Sequence, residues 1–232
     1  MTKTLPFIAF QLLSLAFVVF MPTEAFAHGV DDNTRSFLQN NAGVQFLPFL
    51  YIGAKHMVTG YDHLLFLFGV LFFLYKSRDI LLYVSMFTLG HSITLLLGVL
   101  ADLQVNAYLI DAIIGLSVLY KGFDNLGGFK KLLGYSPNPK AAILIFGLFH
   151  GLGLATKLQE FQLAPEGLLM NLIAFNLGVE IGQILALTFI VLAISFWRKH
   201  NSFQRFATTS NTLIMSAGLL LIGFQLTGYF MQ

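Results

Sequence analysis

The chain has 232 residues, of which 56% are hydrophobic and only 10% charged, with a formal net charge of +2 and no cysteine. Soluble domains carry about a quarter of their residues charged. With a mean hydropathy of +0.76, the balance here makes the bilayer the solvent and argues against a nucleic-acid partner. The missing cysteines exclude disulfides, thiolate metal sites and cysteine nucleophiles, so any metal must be held by imidazole and oxygen, which suits nickel, cobalt, zinc or iron.

In chain order, residues 1–27 read as a cleavable signal peptide. Lys3 supplies the positive start, Leu5 to Phe20 the apolar run, Pro22 its break, and Ala25-Phe26-Ala27 the small-x-small cleavage pattern. The other reading is an uncleaved first membrane helix, but the run is short for one. Cleavage there makes His28 the mature N-terminus. Residues 28–43 are polar (Asp31, Asp32, Asn33, Arg35) and read as a periplasmic segment. Val44 to Met57 is apolar but holds Pro48, Lys55 and His56, and is shorter than the ~20 residues a span needs. It is expected to be an interfacial or re-entrant helix.

Six spans are expected at about 61–76, 80–102, 106–121, 140–157, 168–196 and 210–230. The fold class is therefore all-α: a polytopic membrane helix bundle, with residues 44–232 forming one domain. Lys76, Arg78, Lys121, Lys130, Lys131, Lys140, Arg198, Lys199 and Arg205 fall in alternate loops, and the other side has only Arg35, Lys55 and Lys157. Basic loops stay cytoplasmic, so both the mature N-terminus and the C-terminus should be periplasmic, in a bacterial inner membrane. The 122–139 loop, with Gly127-Gly128 and Pro137-Asn138-Pro139, reads as a flexible connector.

Ionisable groups cost roughly 2.5–3.5 kcal/mol each at a span's centre on insertion scales. This chain places Asp62 and His63 at the start of its first span, His91 in the second, Asp111 in the third, His150 in the fourth and Glu180 in the fifth. Asn176 and Gln183 share a helical face with Glu180, the carboxylate expected to lie deepest. Singly, each has a bland explanation as helix glue or a cap. As a set they form the ligand mix of a divalent transition metal. His56 and His63 stand seven positions apart, ~10.5 Å along a straight helix. Either the helix breaks at Gly60 and folds His56 back, or the two histidines serve successive subsites. Phe87-Thr88-Leu89-Gly90-His91 and Phe146-Gly147-Leu148-Phe149-His150 echo each other, which hints at two three-helix halves of opposite direction.

The His56-x5-Asp62-His63 string, the Phe87–Ser92 and Phe146–Gly153 segments and Phe175-Asn176-Leu177-Gly178-Val179-Glu180 together resemble the HupE/UreJ family, over about residues 45 to 228. The resemblance implies a nickel permease, or sometimes a cobalt one, with a cleaved signal. It also implies His56, Asp62 and His63 as the metal-uptake motif, with His91 as a further ligand. Better-known members carry proline after the first histidine of that motif; Met57 stands there in this chain, which sets it nearer a second branch.

The expected function is a permease or binding protein for a divalent metal, most simply Ni2+ with Co2+ or Zn2+ as alternatives. The candidate ligands are His56, Asp62, His63, His91, Asp111, His150 and Glu180, strung at several depths. The competing reading is an intramembrane zinc hydrolase, with ligands converging at one depth and Glu180 or Asp111 as general base. A serine version would use Ser117 with His150.

Overall fold

The computed structural model describes residues 43–160 and 165–231. The expected signal peptide and nearly all of the polar segment after it lie outside the described residues. Among the described residues there are eight helices and no strand: α1 (Phe46–Thr59), α2 (Tyr61–Leu71), α3 (Ser77–Leu100), α4 (Ala107–Asn125), α5 (Gly128–Leu133), α6 (Pro139–Gln159), α7 (Leu168–Trp197) and α8 (Ser202–Phe230). Helices α3, α6, α7 and α8 are long and apolar enough to cross a membrane. The chain is a polytopic helical bundle.

Local chemistry sets several helix starts. Asn138 caps α6 by accepting from the Lys140 amide at 3.0 Å, with Pro139 in the first turn, where its missing N–H costs nothing. Asn106 caps α4 in the same way, through the Leu109 amide at 3.2 Å. The 122–139 connector contains structure that its glycines and prolines conceal. Gly127 (φ 70°) and Gly134 (φ 80°) take the left-handed conformation at either end of the short α5.

The helices pack as six rods in three pairs. In the first pair, α1 and α2 run end to end as one broken rod beside α7, in the same direction. At one end Asn171 Oδ1 accepts from the Gln45 amide at 2.7 Å. At the other, the Arg198 guanidinium donates to the Leu71 and Phe72 carbonyls at 2.6 and 2.7 Å, satisfying the last turn of α2. The segment expected as an interfacial or re-entrant helix is the first half of this rod, with Phe49, Ile52, Gly53 and Met57 buried and Leu47 and Tyr51 exposed. The second pair is α3 with α6, also parallel, and the third is α4 with α8, antiparallel.

Lipid gives helices no hydrophobic reason to associate, so close backbone packing matters most, and small residues allow it. A Cβ on Gly178 would overlap the Leu50 carbonyl across the first pair. One on Gly147 would overlap the Phe87 backbone across the second, and one on Gly218 the Leu119 amide across the third. The Phe87/His91 and Phe146/His150 segments, which the sequence suggests as an inverted repeat, lie side by side on the parallel α3 and α6. They do not relate two halves of opposite direction.

Candidate metal centre

The broken rod builds the centre of the site. α1 ends at Thr59, the Gly60 amide donates to the His56 carbonyl at 2.9 Å, and Gly60 then turns the chain with ψ 103° before α2 begins. Irregular backbone inside a bundle is tolerated where it lines a site. The turn brings the His56 and His63 ring centroids to 5.2 Å, about half the separation a straight helix gives. Of the two geometries open to the sequence, the folded-back one is present. Glycine leaves room at the break: a Cβ on Gly60 would stand 2.8 Å from His63 Nδ1, 3.1 Å from the His56 carbonyl oxygen and 3.2 Å from Asp62 Oδ1, and would press on the histidine cluster. Met57 is fully buried, and a Cβ on Gly182 of α7 would stand 2.9 Å from its Cβ. With methionine there, α1 keeps its last turn and the break falls at Gly60.

His63 is the hub. Its ring lies 5.0 Å from that of His150 and 6.2 Å from that of His91, centroid to centroid. A ligand atom from each of Asp62, His63 and His150 lies within 4.8 Å of the other two, and all three residues are buried to 1% exposure. Closing such a set on an ion with bonds of ~2.0–2.2 Å takes only small rotamer shifts. The tautomers suit ligation. His150 Nδ1 lies 2.7 Å from the Phe146 carbonyl, which only accepts, so Nδ1 carries the proton and the neutral ring's lone pair is on Nε2. His63 Nδ1 faces Asp62 Oδ1 at 3.1 Å, so a proton on Nδ1 would leave its Nε2 lone pair available in the same way. Two imidazole nitrogens and a carboxylate in a cysteine-free chain form a borderline donor set, which fits nickel, cobalt or zinc.

The rings of His56, His91 and His150 lie 5.2, 6.2 and 5.0 Å from that of His63, so these candidates gather around one residue, the arrangement expected of the hydrolase and not the ligands strung at several depths expected of the permease. Asp111 and Glu180 stand outside the group. Asp111 Oδ2 accepts from Lys157 Nζ at 2.7 Å, joining α4 to α6 beyond His150. Glu180 is only half-buried, so the deepest carboxylate is Asp62. Asn176 and Gln183 do share Glu180's face, but they bond to α3 instead of orienting it: Asn176 Nδ2 donates to Ser92 Oγ at 2.9 Å, and Thr88 Oγ1 to Gln183 Oε1 at 2.6 Å. The hydrolase reading thereby loses both of its general bases from the cluster. Its serine version gains no support: Ser117 Oγ donates to the Ile114 carbonyl of its own helix at 2.6 Å, while His150 Nδ1 faces the Phe146 carbonyl.

Lys157 is the residue that sequence reasoning counted only as a topology marker. Lys157→Met removes the ammonium that balances Asp111 and should cost about 3 kcal/mol. Adding Asp111→Leu should recover most of that loss. Thermal unfolding of the detergent-solubilised single and double variants checks this. Strictly additive losses would show that the pair is not coupled.

The family model described as HupE / UreJ protein matches residues 32–232. The chain belongs to the HupE/UreJ family. That membership places it among membrane proteins concerned with nickel and cobalt transport, and the buried Asp62, His63 and His150 form a group that could hold a metal ion. It gives no support to a HupE/UreJ protein acting as a hydrolase. No curated protein and no solved structure matches the chain.

Proposed function

We propose that this HupE/UreJ protein is a permease for a divalent transition metal, nickel first and cobalt second, with zinc as the remaining candidate. One observation carries the reading. Asp62, His63 and His150, drawn from two helix pairs, bring ligand atoms within 4.8 Å of one another inside a cysteine-free membrane bundle. Ligands so costly to bury are retained for an ion, and His56 and His91 complete the set.

In this reading the bundle sits in a bacterial inner membrane, with the signal removed after Ala27 and both termini periplasmic. It has six spans, the first made of α1 and α2 together, so the ion reaches the break at Gly60 from the periplasmic side. The basic residues support that orientation: Lys76, Arg78, Lys130 and Lys131 lie at the end of the bundle away from Gln45 and Asn171. Asp111 and Glu180 serve the ion's passage and not its resting place. With the cluster ligands gathered around His63, the proposed permease is a carrier with one central station and not a channel with a row of sites.

Purified protein in proteoliposomes should take up Ni2+ or Co2+ saturably and leave Mg2+ outside, because Mg2+ prefers an all-oxygen shell. Uptake no faster than in protein-free liposomes, for Ni2+, Co2+ and Zn2+ alike, would sink the permease reading.

A further inference from the structure

Three phenylalanines form a continuous layer against the histidine cluster, and each stands one helical turn from one of its histidines. Phe66 follows His63 by three positions on α2; Phe87 precedes His91 and Phe146 precedes His150 by four positions each, on α3 and α6. Asn176 meets Ser92 and Gln183 meets Thr88, so α3 runs against α7 and therefore against α2. Plus three on α2 and minus four on α3 and α6 consequently point to the same end of the bundle, the one bearing the lysine-rich loops.

The rings touch. Phe66 lies 5.4 Å from Phe87 and 6.0 Å from Phe146, centroid to centroid. They also press on the cluster itself, with Phe87 4.9 Å and Phe66 5.6 Å from the His150 ring. Behind them Val70, Val118, Ile143 and Ile214 extend the same buried apolar cluster. On the far side is a small cavity lined by Tyr120, Lys121, Asp124 and Pro139 and walled by Phe66 and Phe146. Polar chemistry resumes there: Lys121 Nζ meets Asp124 Oδ2 at 2.7 Å. The layer thus stands between the histidine cluster and the Lys121–Asp124 ion pair with no polar side chain of its own. An apolar constriction of that kind excludes water, and with it a hydrated ion.

We propose that Phe66, Phe87 and Phe146 are the closed inner gate of this protein. It holds an ion at the histidines until the rings part toward the Tyr120–Asp124 cavity. The inference builds on the permease reading, but its test uses no metal, so the two fail separately.

The natural chain has no cysteine, which makes a single introduced thiol unambiguous. His150→Cys places a thiol on the cluster side of the layer. A charged, membrane-impermeant methanethiosulfonate is then applied to vesicles from the face bearing Lys130 and Lys131. The thiol should be protected while the layer is intact, and Phe66→Ala with Phe87→Ala should speed its modification at least about tenfold. Phe66→Ala alone, a milder packing loss, should give a smaller rise and covers the event that the double variant fails to fold. Modification at the same rate with and without the rings, or a thiol already fully reactive from that face when they are intact, would overturn the gate. Absence of Ni2+ uptake by the parent protein would instead count against the permease reading and leave the thiol result standing.

Discussion

His63→Ala should abolish tight nickel binding while leaving the protein folded in its membrane. His63 is the ring that three other imidazoles surround, at 5.0 to 6.2 Å. Loss of residues that merely orient a ligand costs ~10–100-fold in affinity, so loss of the central ligand should cost more than about 100-fold on the same scale. His150→Ala should be nearly as severe. His91→Ala should be milder, because its ring is the most distant of the three from His63. Isothermal titration of Ni2+ into detergent-purified variants reads all three. Parent-like affinity in both His63→Ala and His150→Ala would return the histidines to the role of helix glue. The fold should survive these changes, because removing a buried polar ring also removes a desolvation cost.

Gly151→Val should unfold the second helix pair. A Cβ on Gly151 would overlap the His91 carbonyl and the Thr94 hydroxyl. The hydroxyl could rotate, but the carbonyl belongs to the α3 backbone and cannot yield without separating the helices. Overpacking usually costs about 1–3 kcal/mol; a backbone collision beside the histidine cluster belongs at or beyond the upper end. Gly223 is the control, since nothing lies within 4 Å of its added Cβ. Gly223→Ala should leave stability unchanged or raise it by up to ~1 kcal/mol, the helix preference of alanine over glycine. Thermal unfolding and elution profiles of the two variants settle the comparison, and a parent-like midpoint for Gly151→Val would refute the packing argument.

The spans were legible because apolar runs and their caps are local. The stretches 80–102, 140–157 and 168–196 lie within a few residues of α3, α6 and α7. α8 begins at Ser202, eight residues before its expected start, because Gln204, Arg205, Thr208 and Thr209 hide the first two turns from a hydropathy reading. The break at Gly60 was one of two readings left open by histidines seven positions apart, the other being successive subsites on a straight helix, and only the structure chose between them. What the sequence could not supply was azimuth and partner. Asp111 and Lys157 are 46 positions apart, and nothing local announces their ion pair. Glu180 sits mid-helix as expected, yet its face looks toward Thr88 and Ser92. The Phe-x3-His echo was visible in the letters. Its meaning, two rings of one layer beside two buried histidines, needed α3 and α6 side by side.

The three rod pairs have a mechanical consequence. Backbone-to-backbone contact at the packing glycines of the long helices falls inside pairs, whereas Gly69 against Lys121 and Gly153 against Ile110, both between pairs, meet side chains only. Stiffness is therefore uneven: each pair is a girder, and sliding is cheapest along the seams where side chains alone interdigitate. His56, Asp62 and His63 ride on one girder, His91 and His150 on the next. Under the proposed function, an ion bound between them would be a rivet across that seam: its arrival would lock the relative slide of the two girders, and the slide that released it would pull its ligands apart.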